Sequence, residues 1–210
     1  VKRSLSACSA LALVVLACGY LASSAAAVGI QSNRVVARHP VSTSQRATAA
    51  TADGGLIAPA TVCPRQEDLE APVGDQEKTM ACMVNFARRE SGLGELTEVD
   101  PLIRSAADKS NDVLSCDSFS HFACGREFTY WMKEVGYMSA PCWHVGENLA
   151  WGTEEYGTVR SIFIAWMRSP DHRANILGDF AETGLSLEVG DLEGEADVHI
   201  WAEHFGSHCA

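Results

Sequence analysis

The chain has 210 residues, 47% apolar and 20% charged, which is enough for one ordinary domain with extensions and too little charge for a wholly disordered polypeptide. Acidic residues outnumber basic ones 27 to 16, and the net charge of −11 excludes the basic surface that displaces counterions from nucleic acid. The same deficit argues against a protein held to anionic lipid by charge.

Taken in chain order, the sequence opens with Lys2 and Arg3, an apolar run over 11–21 and the small residues 22–27. That order is the pattern of a secretory signal peptide, and the run is about half the ~20 residues of a membrane-spanning helix. Residues 1–27 are therefore read as an export leader, with no transmembrane span in the mature chain. A second exit is open: Val15-Leu16-Ala17-Cys18 resembles a bacterial lipobox, which would anchor the protein to the cell envelope through Cys18.

Residues 28–62 are rich in Ala, Ser, Thr and Val, without helical or sustained strand periodicity, and are read as a linker. The domain is placed at 63–210. Only Asp53 among the acidic residues precedes it, whereas Lys2, Arg3, Arg34, Arg38 and Arg46 do, so the acidic excess belongs to the domain.

Within the domain, Met80, Met83, Val84 and Ala87 predict a helix over 76–90 with Asp75 as its cap and Gly92 and Gly94 beyond its end. Asp100 and Pro101 open a second helix, and a third is expected over 127–135, ending at Gly136. A fourth is expected over 158–168, with Pro170 just past its end. Alternation predicts strands at 185–189 and 198–205, joined by an acid-rich turn (Asp191, Glu193, Glu195, Asp197) read as a solvated loop rather than a Ca²⁺ site. Two strands are marginal alone, so 145–150 is assigned as a third. Helices first and a hairpin last make the fold class α+β.

Six cysteines remain once the leader is set aside: Cys63, Cys82, Cys116, Cys124, Cys142 and Cys209. An even number in an exported chain points to disulfides. Their pairing stays open, with Cys116 and Cys124 the local candidate.

Three residues stand in contexts that suggest chemistry. His121 follows the second helix in a polar loop, Glu147 lies between apolar neighbours in the expected strand, and His172 follows the fourth helix. A carboxylate so placed must face solvent or find a partner. Two imidazoles and a carboxylate suit a Zn²⁺ or other divalent ion with one open position, a geometry for hydrolysis. They equally suit a hydrogen-bonded polar cluster. His144, Trp143 and Trp151 flank the Glu147 segment and, with Asn148, are assigned to a ligand groove, His144 at its rim. His199, Glu203 and His204 match no zinc-protease motif, because His204 points away from the other two in a strand.

Phe119-Ser120-His121, Gly136-Tyr137 and Gly146-Glu147-Asn148-Leu149-Ala150 resemble successive blocks of the CAP superfamily. So do Trp166-Met167-x-Ser169-Pro170-x-His172-Arg173-Ala174-Asn175-Ile176-Leu177, Phe180-x-x-x-Gly184 and Trp201-x-x-x-Phe205-Gly206. The superfamily includes cysteine-rich secretory, antigen 5 and plant pathogenesis-related 1 proteins, and the likeness, over 76–206, is to its bacterial secreted branch of SCP domains. The resemblance implies a three-layer α-β-α sandwich with a small antiparallel sheet and a groove in which two His and two Glu converge. His121, Glu147 and His172 match three of those four. The fourth, a Glu shortly after the helix-four tryptophan, has no counterpart: Arg168 and Ser169 stand there, and Asp171 is the nearest acid. The resemblance implies an extracellular module that binds lipid, sterol or another partner. The alternatives are a metal-dependent hydrolase or protease on the same groove and an envelope-associated structural protein with a vestigial site.

Overall fold

The structure is a computed structural model that describes residues 28–35 and 55–209. The leader, Cys18 and most of the linker lie outside the described residues. Ten elements follow one another: β1 (Val28–Val35), α1 (Val73–Glu90), β2 (Thr97–Glu98), α2 (Asp100–Ser115), α3 (Tyr130–Glu134), β3 (Trp143–Gly152), α4 (Val159–Arg168), α5 (Pro170–Ile176), β4 (Glu182–Leu192) and β5 (Glu195–His208).

The five strands form one sheet in the order β1-β3-β5-β4-β2. Pairing is antiparallel throughout except for the short parallel contact of β2 with β4. Helices cover both faces, because alternate residues of each strand are apolar on opposite sides. Trp201 and Phe205 of β5 with Leu185 and Leu187 of β4 pack against Met80, Met83 and Val84 of α1 and Ile162, Phe163 and Trp166 of α4. On the other side Leu149 and Ala202 meet Ala106 of α2, and Val198 and Ile200 meet Val113. Leu102 of α2, Met132 of α3 and Val145 of β3 complete that layer. This is the α-β-α sandwich expected from the motifs.

The close approach of α2 to the sheet depends on Gly184. A Cβ there would collide with the backbone of Leu102 and Ile103, so the position takes no side chain. Three disulfides join Cys63 to Cys82, Cys116 to Cys124 and Cys142 to Cys209. They tie the segment before α1 to that helix, close the loop after α2, and join the start of β3 to the end of β5.

Several local expectations shift. Helix α1 begins at Val73, after extended Pro72, so Asp75 lies in its first turn and pairs with Arg65 instead of capping. Asp100 is likewise the first residue of α2, with Val99 at the cap position. Helix α3 is shorter than predicted and stops before Gly136, whose φ of +82° suits glycine. Thr158, expected as the first residue of the fourth helix, instead caps α4, its hydroxyl accepting from the Ser161 N–H at 3.2 Å. Pro170 lies just past the end of α4, as expected, and also opens α5, where a missing N–H costs no hydrogen bond. The hairpin turn is confined to Glu193 and Gly194, both at positive φ, with strands running up to it on either side. Val28–Val35, inside the segment read as linker, is a strand paired with β3.

Candidate functional site

Strand β3 points Trp143, Val145, Glu147, Leu149 and Trp151 toward the α2 face and His144, Gly146, Asn148 and Ala150 toward the other. Glu147 has no exposed surface, so its charge must be met inside the protein. Two imidazoles meet it. His121 Nδ1 lies 2.5 Å from Oε1, and His204 Nε2 lies 2.8 Å from Oε2. An ionised carboxylate only accepts, so both ring N–H groups donate.

Each histidine is held by the fold. His204 stands directly opposite Glu147 in the β3–β5 register, which brings their side chains together on one face. Ser105 of α2 places its Oγ 2.7 Å from His204 Nδ1 and also donates to the Leu102 carbonyl at 3.0 Å. His121 sits in the loop closed by Cys116–Cys124. Buried Lys109 donates to the His121 carbonyl at 2.6 Å, bringing a second positive group near Glu147. The acidic hairpin turn clasps the same loop: Glu193 Oε1 accepts from the Phe119 N–H at 2.9 Å, and the Glu193 N–H donates to Asp117. Glu193 is exposed, as the reading of a solvated turn expects, and it also holds the loop that carries His121.

These contacts set the protonation of Glu147. Burial pushes its carboxyl upward, but the hydrogen bonds from His121 and His204 and the nearby Lys109 charge outweigh burial and bring it down to about 2. Lys109 is itself lowered, chiefly by desolvation, against the upward pull of Glu147 and Asp112.

His172 begins the other wall. It is 2% exposed, at the start of α5, with Nδ1 2.7 Å from Ser169 Oγ. Helix α5 is stitched to β3 beside Glu147: Asn148 Nδ2 donates to the His172 carbonyl, and Asn175 Nδ2 donates to the Glu147 carbonyl and, at 2.8 Å, to Asn148 Oδ1. Asn148 is therefore a buried strut between β3 and α5. His144 stacks on Phe180 with ring centroids 4.4 Å apart. Trp151 meets Phe119 edge-on, and Trp143 packs beside Val145 and Tyr137.

The motifs group Glu147 with His121 and His172; the imidazole on its second oxygen is that of His204. Strand parity does separate His204 from His199 and Glu203, and the register that turns it from them turns it onto Glu147. Among the described residues no three His, Cys, Asp or Glu side chains are grouped to hold a metal ion. The donor chemistry agrees: both oxygens of Glu147 accept protons from imidazoles, so the three groups bond to one another and do not fit a shared Zn²⁺ site.

The family model described as the cysteine-rich secretory protein family, CAP, matches residues 83–205, which include His121, Glu147, His172 and His204. The chain belongs to the CAP family. A Bacillus subtilis (strain 168) protein, YkwD, is 34% identical over 155 residues, covering 70% of this chain and 54% of that protein. The chain thus matches about half the length of that curated relative. Among solved structures, an outer surface protein from Borrelia burgdorferi shares the CAP fold at a TM-score of 0.53 and 18% identity, over 64% of this chain and 94% of that one. An extracellular SCP-domain protein from Bacillus anthracis str. Ames does so at 0.51 and 19%, over 63% and 40%. Within the CAP domain the buried Glu147 with His121 and His204 is a feature that packing alone does not require.

Proposed function

We propose that this CAP domain is an extracellular ligand-binding module whose groove is organised by the Glu147 anion. The observation that supports this is the saturation of Glu147 by two imidazoles. A carboxylate whose two oxygens are both engaged acts as an orienting group, fixing ring tautomers, and is poorly placed to attack a substrate. With the Nδ1 proton of His121 on Glu147, Nε2 is that ring's acceptor when neutral. Trp143 and Trp151, on the Glu147 face of β3, are assigned to the groove walls and His144, on the other face, to the rim; the ligand class implied by the family resemblance is a lipid or sterol.

The extracellular setting is supported by the relatives, which include an outer surface protein and an extracellular protein. Residues 1–27 are assigned to export, with Cys18 lipidation as the alternative; intact-mass analysis of the mature N-terminus separates the two. Among the described residues no helix is long and apolar enough to cross a membrane.

The test is mass spectrometry of organic extracts from protein purified out of native secretions, beside His121→Ala and Glu147→Gln. A stoichiometric apolar molecule on the wild type, depleted in both variants, is the expected result. Hydrolytic turnover abolished by EDTA and by Glu147→Gln would displace this reading in favour of a metal-assisted hydrolase. Equal extracts from all three proteins would leave the groove vestigial.

A further inference from the structure

The outer edge of β3 is occupied by the chain itself. Val28–Val35 pairs antiparallel with it along eight residues, placing Asn33 opposite Glu147, Arg34 opposite Gly146 and Ile30 opposite Ala150. We infer that this edge is a docking site for an extended peptide and that Val28–Val35 is its tethered occupant. The inference rests on the binding reading above and adds, to the lipid or sterol assigned to the groove, a peptide strand at the sheet edge.

Four observations carry it. First, without β1 the outermost strand beside Glu147 would be β3, whose segment 145–150 (Val-Gly-Glu-Asn-Leu-Ala) has no Lys, Arg or Pro. Such residues are the usual guards of an exposed edge, and the charge of Glu147 is turned inward onto His121 and His204. An unguarded row of backbone N–H and C=O groups takes up a strand by ladder hydrogen bonding. Second, β1 packs mainly on β3 and α5, the elements that carry Glu147 and His172, so the strand lies at the sheet edge beside the site. Third, the strand is joined to the domain through residues 36–54 alone, a length that reaches on the order of 60 Å when extended. A strand carried on the same chain meets β3 as an intramolecular partner, which a free peptide must outcompete. Fourth, Val-Gly-Ile-Gln-Ser-Asn-Arg-Val contains one Arg and no acid, whereas the domain it covers holds nearly all of the chain's acidic residues. The partner class is therefore an extended, non-acidic peptide lying antiparallel to β3.

The experiment uses the full chain and the same chain lacking residues 28–35. The probe is a fluorescently labelled synthetic peptide of the sequence Val-Gly-Ile-Gln-Ser-Asn-Arg-Val, followed by anisotropy. The deletion protein is expected to bind it at least tenfold more tightly than the intact protein, in which the tethered copy competes. Hydrogen exchange gives the second readout: β3 amides protected in the intact protein exchange faster in the deletion protein and recover protection with peptide. A Gln31→Pro variant of the intact chain, which puts a residue of fixed φ and no N–H in the middle of the strand without shortening the chain, should behave like the deletion. A deletion protein that keeps its three disulfides and its circular dichroism but binds no peptide overturns the inference. So does equal binding by both proteins, or an intact protein that is dimeric where the deletion protein is monomeric, which would assign the strand to exchange between copies. Repeating the titration on the deletion protein with Glu147→Gln separates the two readings. Undiminished binding keeps the docking edge and removes Glu147 from ligand recognition, whereas loss in every variant removes the edge.

Discussion

Glu147 and Glu203 are both fully buried, on paired strands of the same sheet, and they answer burial in opposite ways. Glu147 faces α2 and meets two imidazoles and, farther off, Lys109, so it stays ionised down to about pH 2. Glu203 faces α1 and α4. Desolvation raises its carboxyl to about 8, against which a 3.3 Å hydrogen bond from Thr183 and the Arg88 charge are too little, while Glu98 adds to the rise. The Arg88 guanidinium is already committed to the carbonyls of Gly94, Ile176, Gly178 and Phe180. Burial sets the cost of a charge; the donors within reach decide whether the charge is kept.

This contrast can be broken or sharpened by experiment. The largest effect belongs to Glu147→Ala, which strands two buried imidazoles and Lys109 and should cost about 3–5 kcal/mol in urea unfolding at pH 7. Glu203→Gln should do the reverse at high pH. A carboxyl raised from 4.5 to about 8 makes the native state hold a proton the unfolded chain has lost, so its contribution erodes between those pH values. The glutamine, always neutral, should raise stability at pH 8 by on the order of 3 kcal/mol and leave it unchanged near pH 4, as calorimetric Tm values over that range will show. For Glu147 the sign is opposite: its stabilisation is present above 4.5 and is lost as pH falls toward about 2, so Glu147→Gln should flatten the acid limb of the same profile.

Lys109→Met should cost about 1–3 kcal/mol through the orphaned His121 carbonyl and should move the Glu147 carboxyl upward in a carbon-detected NMR titration. Ser105→Ala, which removes only the outer partner of His204, should cost about 1 kcal/mol and leave the Glu147 titration close to wild type. A Ser105→Ala effect as large as that of Lys109→Met would show that the hydroxyl, and not the amine, governs the anion.

Much of the fold is legible in the sequence, and the reasons for the rest are local. Apolar spacing locates α1, α2 and α4, because each has a continuous core-facing stripe. Helix α5 is hidden because Pro170 signals both a stop and a start, and only Ser169, with its extended backbone, separates the two helices. Strand β1 is hidden because its periodicity is weak and its pairing partner lies far along the chain. Glu147 stands out as a charge among apolar neighbours, and His121 and His172 through the resemblance. His204 does not, because its role depends on which residue of β3 it faces, a matter of register that neither strand discloses alone.

That register has a parity, and Cys142–Cys209 secures it. The bond stands one residue outside the pair Trp143–His208, at the end of the same ladder that joins Glu147 to His204. A slip of one residue between β3 and β5 would leave the hydrogen-bond ladder nearly as well filled, yet would turn His204 to the wrong side of the sheet. The covalent tie therefore works as a check digit. A chain that oxidises with the strands in step keeps its anion paired, and a chain that oxidises out of step has nowhere to put it.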